Sequence, residues 1–276
     1  MKTILGLFLC FSLALARQPS VSYKHNCPNP GSLSNYIING EDAPDGKYPY
    51  MLSLYNMNFE SHLCGASILS KNWALTAAHC CAVGKVVKLS LYAGSNVLYK
   101  GGSFHEVEKY IIHQNYSSED NWINDACLLK VKEPFVYGER VQQVTLPPQD
   151  WPINDGDLLN VTGWGLTEHE GEDVPELLQL GKNFVALSPE KCESLTEANH
   201  PSYLCVLGGR EGQGVCNGDS GSPIVKNGVQ VGIASWVFTP CGCGLPDFYS
   251  RVPHLINWIK KELGPDAKEL KFHKGK

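Results

Sequence analysis

The chain has 276 residues, 43% of them hydrophobic and 10% aromatic, and a formal net charge of −5. That length and apolar content suffice for a sizeable core in one or two domains. The acidic balance shows no basic patch of the kind a nucleic-acid partner needs.

Lys2, an apolar run from Ile4 to Leu13 and a small-x-small site at Ala14-Leu15-Ala16 open the chain. They read as a secretory signal over residues 1–16, too short to stay in a membrane as a span. No later stretch is long and apolar enough for a transmembrane helix, so a secreted, extracellular protein with no membrane partner is expected. Of eleven cysteines, Cys10 lies in the signal. In a secreted chain the other ten read as disulfides before free thiols. Asn115-Tyr116-Ser117 and Asn160-Val161-Thr162 are sequons, so Asn115 and Asn160 are candidate glycan acceptors.

Residues 17–36 are polar and Pro-containing and carry Cys27; they read as a pro-segment. From Ile37 the pattern changes to short β-rich runs separated by turn signals. Strands are expected at 50–55, 66–69, 86–92, 104–112, 127–131, 157–163, 182–187, 202–207, 229–236 and 248–252. Such spacing implies an all-β sandwich or barrel, and the lack of alternating helical segments argues against a parallel α/β sheet. Pro147 to Pro152 breaks the series and reads as a crossing between two β-units. Ser188-Pro189-Glu190-Lys191 suits a short helix start. Val252, Leu255, Ile256, Ile259 and Leu263 fall at helical spacing, with Pro253 in the first turn and Gly264 at the end. Residues 264–276 are charged and expected to be a loose tail.

Three stretches carry chemistry. Thr76-Ala77-Ala78-His79-Cys80 follows a β-run ending at Leu75, and Asp125 heads an apolar strand. Ser220 stands in Val215-Cys216-Asn217-Gly218-Asp219-Ser220-Gly221-Ser222-Pro223. Alone, that last run also suits a Gly/Ser/Asp surface turn. Together, a histidine, an acid and a serine are the parts of acyl transfer. A serine hydroxyl is a weak nucleophile until a base takes its proton, and an acid fixes the tautomer of the base.

With TAAHC at 76–80, the Asp-headed strand at 125, TGWG at 162–165, GDSGSP at 218–223 and Ser235-Trp236, the chain resembles the chymotrypsin-like serine proteases, arthropod chymotrypsin/elastase-like enzymes in particular. The resemblance covers residues 37 to about 263. It implies two packed six-stranded antiparallel β-barrels with a C-terminal helix, and a secreted serine endopeptidase made as a zymogen. His79 is then general base and acid, Asp125 its orienter and Ser220 the nucleophile. The N–H groups of Gly218 and Ser220 form the oxyanion hole. Ser235 supports Asp125, and the Ser235–Trp236–Val237 backbone pairs with substrate as an added strand. Cleavage after Tyr36 frees the Ile37 amine to pair with Asp219, and His62 resembles the residue that holds that acid beforehand. Tyr36 stands where Lys or Arg is common, which suits a chymotrypsin-like activator or self-cleavage.

The family pattern implies the bridges Cys64–Cys80, Cys192–Cys205 and Cys216–Cys241. Since His79 and Asp125 must be adjacent, Cys81 and Cys127 are proposed as a fourth. Cys27 and Cys243 remain, either paired or with one free. Gly214 stands where trypsin-like members carry an acid, and Val237 where deep pockets carry glycine. Both favour apolar, chymotrypsin/elastase-like specificity. Asp247, at a pocket-wall position, keeps a basic or mixed specificity open. Ser95 replaces an acid in the segment where some relatives bind calcium, so no metal and no cofactor are expected. The implied partners are protein or peptide substrates and protein protease inhibitors, acting on a monomer. An inactive homologue that serves as a binding protein is the rival reading.

Overall fold

A computed structural model describes residues 37–82, 87–168, 171 and 173–274. The expected signal, the pro-segment with Cys27 and Tyr36, and Val86 of an expected strand lie outside the described residues.

The strands are β1 (Glu41–Asp42), β2 (Met51–Asn56), β3 (Ser61–Ile68), β4 (Trp73–Thr76), β5 (Leu89–Ala93), β6 (Ser103–Ile112), β7 (Cys127–Val131), β8 (Thr145–Leu146), β9 (Leu158–Gly163), β10 (Gln179–Ala186), β11 (Tyr203–Leu207), β12 (Pro223–Lys226), β13 (Val229–Trp236), β14 (Asp247–Arg251) and β15 (Lys271–Phe272). The helices are α1 (Ala78–Cys81), α2 (Pro189–Thr196) and α3 (Val252–Leu263). β2-β3-β4-β7-β6-β5 close into one barrel. β12-β9-β10-β11-β14-β13 close into a second through the β12–β13 pairing. Pairing within both barrels is antiparallel, as expected. The second carries additions: β8 runs parallel to β13, β15 parallel to β8, and β1 pairs with β10. Closure leaves no open edge in either ring.

Alternation drives the first barrel: Leu52, Leu54, Ile68, Leu75, Leu91 and Leu129 are all buried in one cluster. The second barrel is filled by Leu159, Val161, Phe184, Val206, Ile224 and Tyr249. Ser188 caps α2 by accepting from the Lys191 N–H at 3.3 Å, with Pro189 in the first turn where its missing N–H costs nothing. The helical spacing read over 252–263 is α3, whose Leu255, Ile256 and Ile259 join the first-barrel cluster.

The C-terminal segment is not loose. After α3, residues Gly264–Glu269 form a 3-10 turn and β15 pairs with β8. Trp73 Nε1–H donates to Asp266 at 2.9 Å, His273 N–H donates to Leu146 O at 2.8 Å, and Leu270 is buried in the first-barrel cluster. Charge count alone hid Leu270 and Phe272, two apolar residues spaced to face one side of a strand. Two further strands, β1 and β8, escaped the sequence because they are two residues long, and β12 because it begins at Pro223 directly after the glycine-rich run.

Candidate active site

Register brings the histidine and the acid together. In the β4–β7 pair, Thr76 faces Cys127 and Leu75 faces Leu128. The chain leaving β4 toward His79 and the chain entering β7 from Asp125 therefore meet at one barrel end. The Cys81–Cys127 disulfide pins that end and Cys64–Cys80 ties it to β3. Cys192–Cys205 and Cys216–Cys241 are the other described bridges, so all four expected pairings are present.

Asp125 is fully buried and both of its carboxylate oxygens accept hydrogen bonds. Oδ2 accepts from His79 Nδ1–H at 2.7 Å and from Ser235 Oγ–H at 2.6 Å, while Oδ1 accepts from the His79 N–H at 2.9 Å. Ser250 Oγ–H donates to the Asp125 carbonyl at 2.7 Å. Ser235 sits at the β13 bulge between Ala234 and Trp236, which re-aims its hydroxyl toward the acid. The Nδ1–H being committed, His79 Nε2 carries the lone pair, and it is buried with no hydrogen-bond partner among the described residues.

Ser220 comes from the other barrel. Its carbonyl accepts from the Gly65 N–H at 2.7 Å, and the neighbouring turn is stitched to β13 by Gly221 N–H to Ala234 O and Ala234 N–H to Ser222 O. Gly221 has φ 80°, and a Cβ there would run into Thr76 Oγ1 and the Gly65 carbonyl. The serine turn thus lies against the Thr76–Ala77 segment that leads to His79. Sequence reading missed Trp122. Its ring stands edge-on to His79 at 5.2 Å between centroids, on a backbone with φ 61° between Asn121 and Asn124, which also have positive φ. A run of left-handed non-glycine residues beside the acid is a cost the surrounding packing must hold; no composition signal reveals it.

The amides next to the serine are oriented from behind. The Asn217 carbonyl accepts from the Leu166 N–H at 2.7 Å. In a planar trans peptide this turns the Gly218 N–H the opposite way. Neither the Gly218 nor the Ser220 N–H donates a hydrogen bond among the described residues. Gly218 has φ 96°, a conformation that favours glycine, and its carbonyl accepts from His62 Nε2–H at 2.9 Å. His62 Nδ1 accepts from Ser53 Oγ–H at 2.7 Å. Burial pushes the His62 pKa down to about 4, which keeps the ring neutral, and the Gly218 carbonyl, which can only accept, sets that tautomer. His62 thus holds the Gly218 carbonyl in this structure.

Asp219 is fully buried and accepts from the Gly165 and Cys216 N–H groups at 2.8 and 3.0 Å. Burial raises its pKa to about 7 against those two donors. Ile37 is fully buried in the second-barrel core with Val215, and Ile38 packs on Cys216 and Cys241.

A pocket opens beside Ser220, lined by Val215, Cys216, Asn217, Ala234, Ser235, Trp236 and Val237. Trp236 stacks on Phe248 at 3.7 Å between centroids. Gly214 and Asp247 are not among those lining residues. Asp247 is 4% exposed, and its Oδ2 accepts from the Val215 N–H at 2.9 Å. A Cβ on Gly214 would stand 3.2 Å from the same oxygen. Burial, with Asp219 nearby, holds the Asp247 carboxyl well above the usual carboxylate range. Cys64, His79 and Cys80 cluster closely, but the two sulfurs are bonded to each other and offer no thiolate to a metal. Asn115 is exposed on a loop. Asn160 is half-buried in β9 with its Oδ1 accepting from the Asn183 N–H.

A family profile described as Trypsin matches residues 37–259. The chain is 38% identical over 225 residues to Chymotrypsin-2 of Vespa crabro, covering 82% of this chain and 99% of that protein. It is 36% identical over 230 residues to Serine protease 1 of Rattus norvegicus, covering 81% and 88%. Among solved structures, neuropsin, a serine protease expressed in the limbic system of mouse brain, has a TM-score of 0.73 at 27% identity over 82% of this chain and 99% of its own. Human heparin binding protein has a TM-score of 0.73 at 24% identity over 83% and 97%, a likeness of fold. A match running through both barrels and the cleft between them makes this chain a member of the trypsin family of serine proteases, a serine endopeptidase that hydrolyses peptide bonds.

Proposed function

We propose that the chain is secreted as a zymogen and, once cut between Tyr36 and Ile37, cleaves protein and peptide substrates after apolar residues through an acyl-enzyme on Ser220. The observation that carries the chemistry is the buried Asp125 holding His79 with Nε2 unspent beside the Ser220 turn. Ser220 Oγ attacks the scissile carbonyl carbon as His79 Nε2 takes its proton. The Gly218 and Ser220 N–H groups receive the oxyanion. His79 then returns the proton to the leaving amine, and a water repeats the sequence to free the acid. Asp125 holds the tautomer throughout and stabilises the imidazolium. The Ser235–Val237 edge takes the substrate backbone.

The same reading assigns residues 1–16 as signal, 17–36 as pro-segment and 37–263 as the catalytic unit. Among the described residues no helix is long and apolar enough to cross a membrane. The freed Ile37 amine would meet Asp219, whose burial otherwise disfavours its charge; an adjacent cation reverses that preference. We read the enzyme as a monomer without metal or cofactor, open to protein inhibitors that fill its cleft. Asn115 is the more accessible glycan acceptor.

Apolar specificity rests on Asp247. An acid whose charged form burial disfavours, and whose Oδ2 is already spent on the Val215 amide, offers little attraction to Lys or Arg. Val237 adds β-branched bulk at the lining. On a panel of peptides differing only at the residue before the cut, kcat/KM is expected to be at least about ten-fold higher after apolar residues than after Lys or Arg, a modest pocket discrimination. Asp247→Asn is expected to leave that ranking intact. Faster cleavage after Lys or Arg, lost in Asp247→Asn, would overturn the assignment.

A further inference from the structure

The outer face of the first barrel carries a cluster of aromatic rings. Leu52, Leu54 and Leu91 point into the core, and their chain neighbours point the other way. On that outer face Ser53 pairs with Tyr92, and Tyr92 with Phe104, across β2, β5 and β6. The rings of Tyr55, Tyr92, Tyr99 and Phe104 meet there with neighbouring centroids 4.9 to 5.9 Å apart. Among the described residues, none of the four belongs to the clusters that fill the two barrels. Phe104 is 50% exposed and Tyr99 37%, and the β2–β3 turn just past Tyr55 adds Met57 and Phe59, both exposed. Exposed apolar side chains gathered in one place mark interaction sites, whereas scattered ones do not. Tyr99 is held at φ 61°, a left-handed conformation that is costly without glycine and that binding segments retain.

We propose that this aromatic face docks the stretch of a protein substrate beyond the cut bond and selects apolar or aromatic side chains there. The assignment rests on Ser220 as the nucleophile, as proposed above. The face is continuous with the cleft. Tyr55 pairs with His62 on β3, and further along β3 the Gly65 N–H donates to Ser220 O at 2.7 Å. From His62 to Gly65 the strand covers about 10 Å. The Tyr99 hydroxyl lies against Ser53, Ser53 Oγ–H donates to His62 Nδ1, and His62 Nε2–H donates to the Gly218 carbonyl beside the serine. The Ser235–Val237 edge on the second barrel takes the substrate before the cut, so the leaving part runs out over the first. An extended chain reaches the rings after about four residues. Charges at the rim are paired, Lys100 with Glu176 at 3.0 Å and Lys132 with Glu106 at 3.6 Å, so the face offers apolar area in place of net charge.

Two internally quenched peptides test this. They share a sequence that the parent enzyme cuts and differ only beyond the cut. One ends in Gly-Ser-Gly-Ser-Phe-Pro-Leu-Pro and the other in Gly-Ser-Gly-Ser-Ser-Pro-Ser-Pro, the prolines blocking cuts within the tail. The apolar tail is expected to raise kcat/KM about ten-fold, carried by KM, the size of one well-buried side chain. Tyr99→Ser and Phe104→Ser should each bring the ratio of the two peptides toward one. The ratio is taken within each preparation, so loss of folded protein does not alter it. A fluorescent copy of the apolar tail should bind the Ser220→Ala chain, and added Phe104→Ser should weaken that binding. Should Ser220→Ala still cut the control peptide, the nucleophile is misassigned, and the tail ratio still decides the docking face. Equal kcat/KM for the two tails, or a preference that both substitutions leave intact, would overturn the proposal. A concentration-dependent dimer abolished by Phe104→Ser would overturn it too, giving the face to a second copy of this chain.

Discussion

Ser220→Ala is expected to lower kcat about a million-fold, with KM and the unfolding midpoint little changed. Losing a nucleophile in a His-oriented site removes the covalent route, and other serine proteases show losses of that order. The fold should tolerate the change because Ser220 is held by backbone: its carbonyl accepts from Gly65, and the adjoining turn is bonded to β13. Its hydroxyl makes no hydrogen bond among the described residues, so truncation strands no buried partner. Steady-state kinetics on a peptide cut by the parent enzyme checks this. A loss under about a hundred-fold would remove Ser220 from the role of nucleophile, since general-base assistance alone reaches that size.

Asp125→Asn is expected to cost roughly ten-thousand-fold in kcat. The structure shows why an isosteric change is so damaging here. Both carboxylate oxygens face donors: Oδ2 faces His79 Nδ1–H and Ser235 Oγ–H, and Oδ1 faces the His79 N–H. An asparagine must point its NH2 at one of these sets. If it points at the ring, His79 turns to the tautomer with Nε2–H and cannot accept the Ser220 proton. If it points at the backbone, a buried N–H meets another N–H. Either arrangement also costs about 1–3 kcal/mol for an unsatisfied buried donor. The variant should therefore unfold at lower denaturant as well as turn over slowly. A ten-fold effect on kcat with unchanged stability would mean that Asp125 does not set the tautomer.

Why some of this was readable from the chain and some was not follows from distance. His79, Asp125 and Ser220 each sit in a dense local pattern, and the β4–β7 register then does the rest by pairing Thr76 with Cys127. The Cys81–Cys127 bridge followed from the same adjacency. The barrels were legible as alternating runs, and α3 as a helical stripe with Pro253 and Gly264 at its ends. What failed depends on partners far along the chain. The hold of His62 on the Gly218 carbonyl joins residues 156 positions apart and gave no local signal. Asp247 could be read as a free acid at the pocket, but the Val215 amide claims its carboxyl. Trp122 gave no signal because its place over His79 comes from a left-handed loop. The charged tail docks because Leu270 and Asp266 find the first barrel.

The activated state of Ser220 is tested most directly by treating the chain, cut at Tyr36–Ile37, with a fluorophosphonate and mapping the adduct by mass spectrometry. One phosphonyl group per chain, on Ser220, absent from Ser220→Ala and greatly slowed in Asp125→Asn, is the expected result. Folded, correctly cut protein that takes up no label, or takes it up on another residue, would contradict the claim.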